Sequence, residues 1–324
     1  MQTIPSTDPA APVELLGCVA VIGYGNQGRA HALNLRDSGV TVIIGQRAGD
    51  SFDRAVADGF APRPVAAAAG SADLAILALP DESMGDVFSA ELAARLRPGA
   101  AIGFIHGFAV RFGLIKPPAG LDVVMVAPKG PGRLVRDRFA AGGGVPALVA
   151  VHQDATGRAL RRAVAWARGI GAARARLIET TFAAECESDL FGEQAVLCGG
   201  VVELMKAGFE TLVAAGYEPE LAYVECIHEV KQIVDLIYTE GLAGMRARIS
   251  GTARFGGLTR GPRLVSEAVR AEMRRMLAEI RDGRFAAEWL GECAAGRGQL
   301  ERLARAEADS GAEAAGRVVR GWSG

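Results

Sequence analysis

Four carboxylates stand in pairs four residues apart, Asp189 with Glu193 and Glu225 with Glu229. On a helix that spacing places both members of a pair on one face, one turn apart. Like charges so placed repel unless a cation or a basic group answers them. Leu190, Phe191, Val224, Cys226 and Ile227 surround the pairs and predict largely buried helices, where a carboxylate needs a partner. Oxygen donors with no nearby His/Cys pairing suit Mg2+. The plainer alternative is a solvated helix face, and spacing alone does not decide between them.

A second group is Gly23-Tyr24-Gly25-Asn26-Gln27-Gly28, directly after the apolar run Cys18–Ile22 and before a helical pattern. Strand, GxGxxG and helix in that order form the dinucleotide-binding fingerprint. Gly23 permits the tight turn, Gly25 lets a pyrophosphate approach the backbone, and Gly28 lets the helix pack on the strand. The helix N-terminus offers amides and a positive dipole end to the phosphates. The end of the next strand reports on the 2′ position of the cofactor. There, Arg47 and Ser51 suit a phosphate and Asp50 repels one, while Asp53 and Arg54 read as a solvated first helical turn.

The elements that must position these groups fall into two halves. Cys18–Ile22, Val40–Ile44, Leu74–Leu79, Ala101–Ile105, Val123–Ala127 and Ala147–Val151 are continuous apolar runs, as expected of strands buried on both faces of a parallel sheet. Gln27–Ser38, Ser51–Asp58, Ser83–Leu96 and Gly157–Ile170 read as crossover helices, so the first half is an α/β, Rossmann-type domain. After about Glu179 the pattern turns helical. A helix over Leu190–Ala215, a turn at Gly216–Pro219, and helices over Glu220–Tyr238, Ser266–Asp282 and Phe285–Gly296 are expected. The tail from Arg297, rich in Arg, Ala and Gly, is expected to be partly disordered. The domain boundary falls at 181/182.

At 324 residues, two domains are expected. With 36 basic against 37 acidic residues, no basic excess points to nucleic acid or to a membrane surface. Met1–Val13 is polar, holds three prolines and lacks the pattern of a signal peptide. No apolar run reaches the roughly 18 residues needed to span a bilayer, and the cytoplasm is the expected location. Five cysteines with no CxxC pair argue for reduced thiols rather than a disulfide framework or a zinc knuckle.

From about Gly17 to Leu290 the chain resembles the class I (short-chain) ketol-acid reductoisomerases, also called acetohydroxy-acid isomeroreductases. The resemblance is carried by Gly23–Gly28 with Ala30–Gly39, Leu79-Pro80-Asp81-Glu82, His106-Gly107-Phe108, Val126–Gly132, Gly144–Ala147, Val151–Asp154, Glu179–Phe182, Asp189–Gln194 and Leu242–Met245. It implies a Rossmann domain followed by a knotted all-α domain, in a homodimer or an assembly of dimers whose active sites are completed across the interface. It also implies two Mg2+ ions: Asp189 bridges them, Glu193 ligates one, and Glu225 and Glu229 complete or approach the other.

The same resemblance places His106, Lys129 and Glu229 at the reaction centre, with Ser250, Glu229 and Cys198 at the substrate. The cofactor, NADPH or NADH, is expected against Gly23–Gly28, Arg47, Asp50, Ser51, Pro80, Asp81, His106 and Gly132. Acetolactate or acetohydroxybutyrate would undergo alkyl migration and then reduction, in the biosynthesis of valine, isoleucine and leucine. The sequence departs from the family at Gly251, where Asp or Asn is usual, at Arg254 for Glu and at Phe255 for Tyr. Asp50 departs too and leans the cofactor toward NADH. The alternatives are a paralogue acting on a related acetohydroxy acid and a metal-independent β-hydroxyacid-type dehydrogenase.

Overall fold

The apolar runs of the first half do assemble into one sheet. The computed structural model describes residues 3–4 and 11–323. Most of the polar stretch Met1–Val13 lies outside them. Among the described residues, eight strands run β1 (Thr3–Ile4), β2 (Cys18–Ile22), β3 (Thr41–Gly45), β4 (Leu74–Leu77), β5 (Ala101–Phe104), β6 (Asp122–Pro128), β7 (Ala147–Gln153) and β8 (Leu177–Glu179). Their spatial order is β1-β8-β7-β6-β5-β4-β2-β3. Strands β3, β2, β4, β5 and β6 are parallel neighbours, with Val19 opposite both Val42 and Leu74. Every residue of β4, β5 and β6 is buried, which is why these runs carry no polar alternation.

Helices of this half are α1 (Asn26–Asp37), α2 (Asp50–Ala57), α3 (Val65–Gly70), α4 (Asp81–Val87), α5 (Phe108–Arg111), α6 (Gly132–Ala140) and α7 (Ala159–Gly169). One apolar cluster, with Leu35, Val124 and Trp166, covers one face of the sheet. Another, with Leu77, Phe88 and Phe104, covers the other. The sheet departs from the expected all-parallel form at β7, which is antiparallel to β6. Helix α6 packs against α1 instead of returning along the sheet, so the chain re-enters the sheet from the end at which it left.

The chain divides into two compact units, Met1–Ser188 and Asp189–Gly324. The division falls within α8 (Phe182–Gly192). Then follow α9 (Gly200–Ala214), α10 (Pro219–Tyr223), α11 (Val230–Arg248), α12 (Gly251–Leu264), α13 (Glu267–Arg281), α14 (Arg284–Ala294), α15 (Gly298–Ala308) and α16 (Gly311–Arg320).

Two of the long helices expected here are interrupted. Glu193–Leu197 and Val224–His228 are π-helical turns, closed by Cys198 N–H donating to the Glu193 carbonyl and Glu229 N–H to that of Val224. Helix α11 is broken at Gly241, whose φ of 73° is left-handed. The described part of the tail from Arg297 is helical, contrary to expectation. Ser310 caps α16, and Ala315 and Val319, one turn apart, pack with Phe209, Ala222 and Tyr223.

Candidate active site

At the end of β2 the backbone turns at Gly23 with φ 95°, and a Cβ there would sit 2.4 Å from the Ala78 carbonyl oxygen. A Cβ on Gly28 would sit 2.3 Å from the Gly23 carbonyl oxygen, so helix α1 can lie on the loop only without a side chain there. Gly25 is different, with nothing within 4 Å of its Cβ position. That side of the loop is open to a ligand.

Tyr24 is buried; its amide donates to Gln46 Oε1 at 2.9 Å and its hydroxyl to Asp58 at 2.9 Å. Arg29 grips the same carboxylate at 2.6 and 2.9 Å. Burial, then the Asp58 carboxylate, push the Tyr24 phenol well above its usual range. The Tyr24 ring therefore anchors the loop.

A cavity of about 540 Å3 opens at the carboxyl ends of β2, β4 and β5. Gly23, Tyr24, Gly25, Gln27, Gln46, Ser51, Pro80, Asp81 and His106 line it. Ligands bind at this edge of open α/β sheets. Gln27 Nε2 donates to the Gly130 carbonyl at 2.9 Å, while its Oε1 is buried without a hydrogen-bond partner. An orphaned acceptor on the wall of a cavity beside an open glycine fits a dinucleotide carrying hydroxyl and amide donors.

Gly132 lies beside the fingerprint instead of in the cavity wall. A Cβ there would stand 2.1 Å from the Asn26 carbonyl oxygen, so the β6–α6 loop packs directly on the phosphate-binding turn. Asn26 is exposed and opens α1. Asp50, also exposed, lies in the first turn of α2, and Arg47 is ion-paired to Glu91 at 2.8 Å.

The same unit builds a charged constellation at the ends of β5 and β6. His106 follows β5, Lys129 follows β6, and both converge on Glu185 in the first turn of α8. Lys129 Nζ lies 2.8 Å from Glu185 Oε1, and His106 Nδ1 lies 3.0 Å from Oε2, which also accepts the Gly107 N–H at 2.9 Å. The Glu185 side chain is only 1 % exposed. Burial works against its charge, but His106 and Lys129 outweigh it and hold the carboxyl below its usual range. Burial also opposes charge on His106, yet hydrogen bonds to Cys186 and Glu185 push its pKa up to about 11. Burial pushes the Cys186 thiol up and keeps it protonated, so Glu185 supplies the countercharge. A held ammonium and a held imidazolium side by side suit a substrate on which negative charge develops.

Glu185 is absent from the residues singled out by spacing. The available signal was its place four residues before Asp189, which extends the first pair into a ladder of three acids along one helix face.

In the helical unit, Asp189 is half-buried on α8, whereas Glu193, Glu225 and Glu229 are exposed. Leu190 is buried, whereas Phe191, Val224, Cys226 and Ile227 are half-buried, so the expectation of largely buried helices is met only in part. Val224, Cys226 and Ile227 of the second π-helical turn pack against the cluster of Phe209 and Tyr223, while Glu225 of the same turn is exposed. Among the described residues, Asp189, Glu193, Glu225 and Glu229 do not gather into a cluster of three ligands within one chain. Ser250 caps α12 by accepting the Ala253 N–H at 3.1 Å, and Cys198, just past the first π-helical turn, is exposed. Arg254 and Phe255 project from the first turns of α12 and are exposed.

Comparison with known proteins places both units. Residues 17–176 match the family model for the acetohydroxy acid isomeroreductase NADPH-binding domain, and residues 182–323 match that for the ketol-acid reductoisomerase C-terminal domain. An NADH-preferring ketol-acid reductoisomerase from an uncultured archaeon is 39% identical, with a TM-score of 0.95 over 99% of this chain and 98% of that one. A semialdehyde dehydrogenase NAD-binding protein from Cupriavidus necator (21% identity, TM-score 0.60, 80% and 99% covered) shares the fold. So does a 1-pyrroline-5-carboxylate reductase from Streptococcus pyogenes (15%, 0.51, 82% and 98%). The chain uses a nicotinamide dinucleotide, and no described helix is long and apolar enough to cross a membrane. The chain belongs to the ketol-acid reductoisomerases, enzymes that couple an isomerisation to a nicotinamide-dependent reduction.

Proposed function

We propose that the chain converts acetolactate or acetohydroxybutyrate to the corresponding 2,3-dihydroxy acid, with Mg2+ and with NADH preferred over NADPH, as a cytoplasmic homodimer in branched-chain amino-acid biosynthesis. The observation that carries the chemistry is the Lys129–Glu185–His106 constellation on the edge of the dinucleotide cavity. Residues 1–181 serve as the dinucleotide domain and 182–324 as the metal, substrate and dimerisation domain.

Asp189, Glu193, Glu225 and Glu229 are hard oxygen donors, the set Mg2+ favours, and they would hold the ions. The exposure of the last three in one chain supports a site to which a second copy contributes carboxylates. Bound Mg2+ supplies Lewis acidity toward the hydroxyl and ketone oxygens of the substrate. The dinucleotide supplies the hydride, and the glycine loop and cavity fix its position.

The residues of this chain do the remaining work. Glu229 takes the proton of the substrate hydroxyl as the alkyl group moves to the neighbouring carbonyl carbon. Lys129, kept charged and oriented by Glu185, returns a proton through water to the carbonyl oxygen whose carbon receives the hydride. His106 adds fixed positive charge beside it. Ser250 spends its acceptor on the α12 cap, which leaves its O–H to donate to the substrate carboxylate at a helix N-terminus that already favours anions. Cys198 stands at the substrate as part of its wall.

Preference for NADH is supported by Asp50 in the first turn of α2, where a 2′-phosphate would meet a carboxylate. The test is an NADH and NADPH oxidation assay with acetolactate, with and without Mg2+, alongside Glu193→Gln. Mg2+-dependent turnover that Glu193→Gln abolishes is expected, with the higher kcat/KM for NADH. Turnover that persists in EDTA overturns the metal role, and an NADPH preference of about a hundredfold overturns the cofactor reading.

A further inference from the structure

Arg47 lies two residues past the end of β3, where the adenosine ribose of a bound dinucleotide comes to lie and where a basic side chain ordinarily accepts a 2′-phosphate. Its guanidinium is engaged elsewhere. Arg47 Nη2 lies 2.8 Å from Glu91 Oε1. The two partners are unequal, since the Arg47 side chain is 69 % exposed and that of Glu91 is 28 % exposed. Glu91 is thus the anchor, and the long arginine is the side chain drawn to it.

Glu91 does not come from the β3–α2 loop that normally reads this position. It belongs to a π-helical turn, Phe88–Leu92, at the end of α4, closed by Ala93 N–H donating to the Phe88 carbonyl at 2.9 Å. Phe88 and Leu92 of the same turn are buried in the sheet core, which fixes the backbone that carries Glu91. Such turns interrupt α-helices most often where function requires it. Gln46, the other polar group at the strand end, is also spent: its Oε1 accepts the Tyr24 amide and its Nε2 donates to the Arg47 carbonyl at 3.3 Å.

We propose that Glu91 is a specificity-determining residue for the cofactor: it holds Arg47 in an ion pair and so withholds from a 2′-phosphate the cation that would bind it. The inference rests on the reading that this cavity takes the nicotinamide dinucleotide. A phosphate dianion arriving there meets Asp50 and Glu91 with the guanidinium already neutralised. A ribose carrying a free 2′-hydroxyl meets no such penalty. Discrimination therefore lies in a contact between two elements far apart in sequence as well as in the composition of the loop.

Isothermal titration of NAD+ and NADP+ into the intact protein, its Glu91→Gln and Arg47→Gln variants and the double variant tests this directly. Glu91→Gln should improve NADP+ binding relative to NAD+ by about threefold to fivefold, the scale of a partly exposed ion pair. That gain should vanish when Arg47 is also glutamine, because Glu91 acts through Arg47. An unchanged ratio of the two Kd values in Glu91→Gln overturns the proposal, as does an equal gain in the Arg47→Gln background. Wild-type protein that binds NADP+ more tightly than NAD+ overturns the NADH preference proposed above, and leaves the effect of Glu91 to be read separately from the variant.

Discussion

His31 sits fully buried on α1 and faces Trp166 of α7, whose Nε1–H donates to His31 Nδ1 at 3.1 Å. The imidazole proton therefore lies on Nε2, which has no partner. Burial depresses the pKa from 6.5 to about 3, so the folded protein keeps the ring neutral. Below about pH 6.5 the unfolded chain takes up this proton and the folded chain does not. The contribution to stability is complete above that pH and is lost as pH falls toward 3. Urea unfolding should show a loss of about 1 kcal/mol per pH unit through this group between pH 6 and 4. His31→Gln, which keeps an acceptor for Trp166, should flatten that part of the curve, and an unchanged slope would rule the explanation out. Little at this scale is visible in sequence. Lys129 and His106 could be named as candidates, but Glu185, which holds both, is 56 residues from one and 79 from the other. Only folding of the sheet brings these side chains together, and no local spacing encodes it.

Elements were legible where burial leaves a continuous mark. Strands β2 and β4 to β7 each cover an apolar run, because both faces of the sheet are dry. Two-residue β1 and three-residue β8 are too short to carry a pattern of their own. The π-helical turns are equally silent, since a bond to the fifth residue back changes the path of the chain without changing its composition. Gly132 joins two elements that sequence treats separately. Its Cβ position falls 2.1 Å from the Asn26 carbonyl oxygen and 2.9 Å from the Gln27 amide nitrogen, and both neighbours are backbone. Gly132→Ala must push the β6–α6 loop away from the phosphate-binding turn. We expect NADH affinity to fall by about tenfold, with a loss of stability of about 1–3 kcal/mol from overpacking. Fluorescence titration with NADH and denaturant unfolding measure the two effects; unchanged affinity would show that the contact does not support the cofactor loop.

At the scale of the whole molecule, the helical unit leaves an unusual amount of apolar surface in water. Leu197, Tyr238, Leu242, Phe255, Leu258 and Leu264 are each more than half exposed, and Leu197 and Phe255 lie close in sequence to the residues assigned to metal and substrate. Isolated exposed apolar side chains need no explanation, but a set this dense on one unit is what a protein interface would leave uncovered in a single chain. The sequence expectation of buried helices around the carboxylate pairs fits the same account, since one chain buries Leu190 but leaves Phe191, Val224, Cys226 and Ile227 half-buried. A second copy of the chain is the proposed cover and the proposed source of the carboxylates that one chain leaves dispersed. Sedimentation should therefore find a dimer, and the melting temperature should rise with protein concentration by mass action. Phe255 and Leu258 share a face of α12. Replacing both with glutamate should give monomers that lose turnover yet bind NADH, because the dinucleotide cavity is lined wholly by residues of the α/β unit. Full activity from a species that sediments as a monomer at assay concentration would remove the second copy from the active site. It would return Glu193, Glu225 and Glu229 to the reading of a solvated helix face.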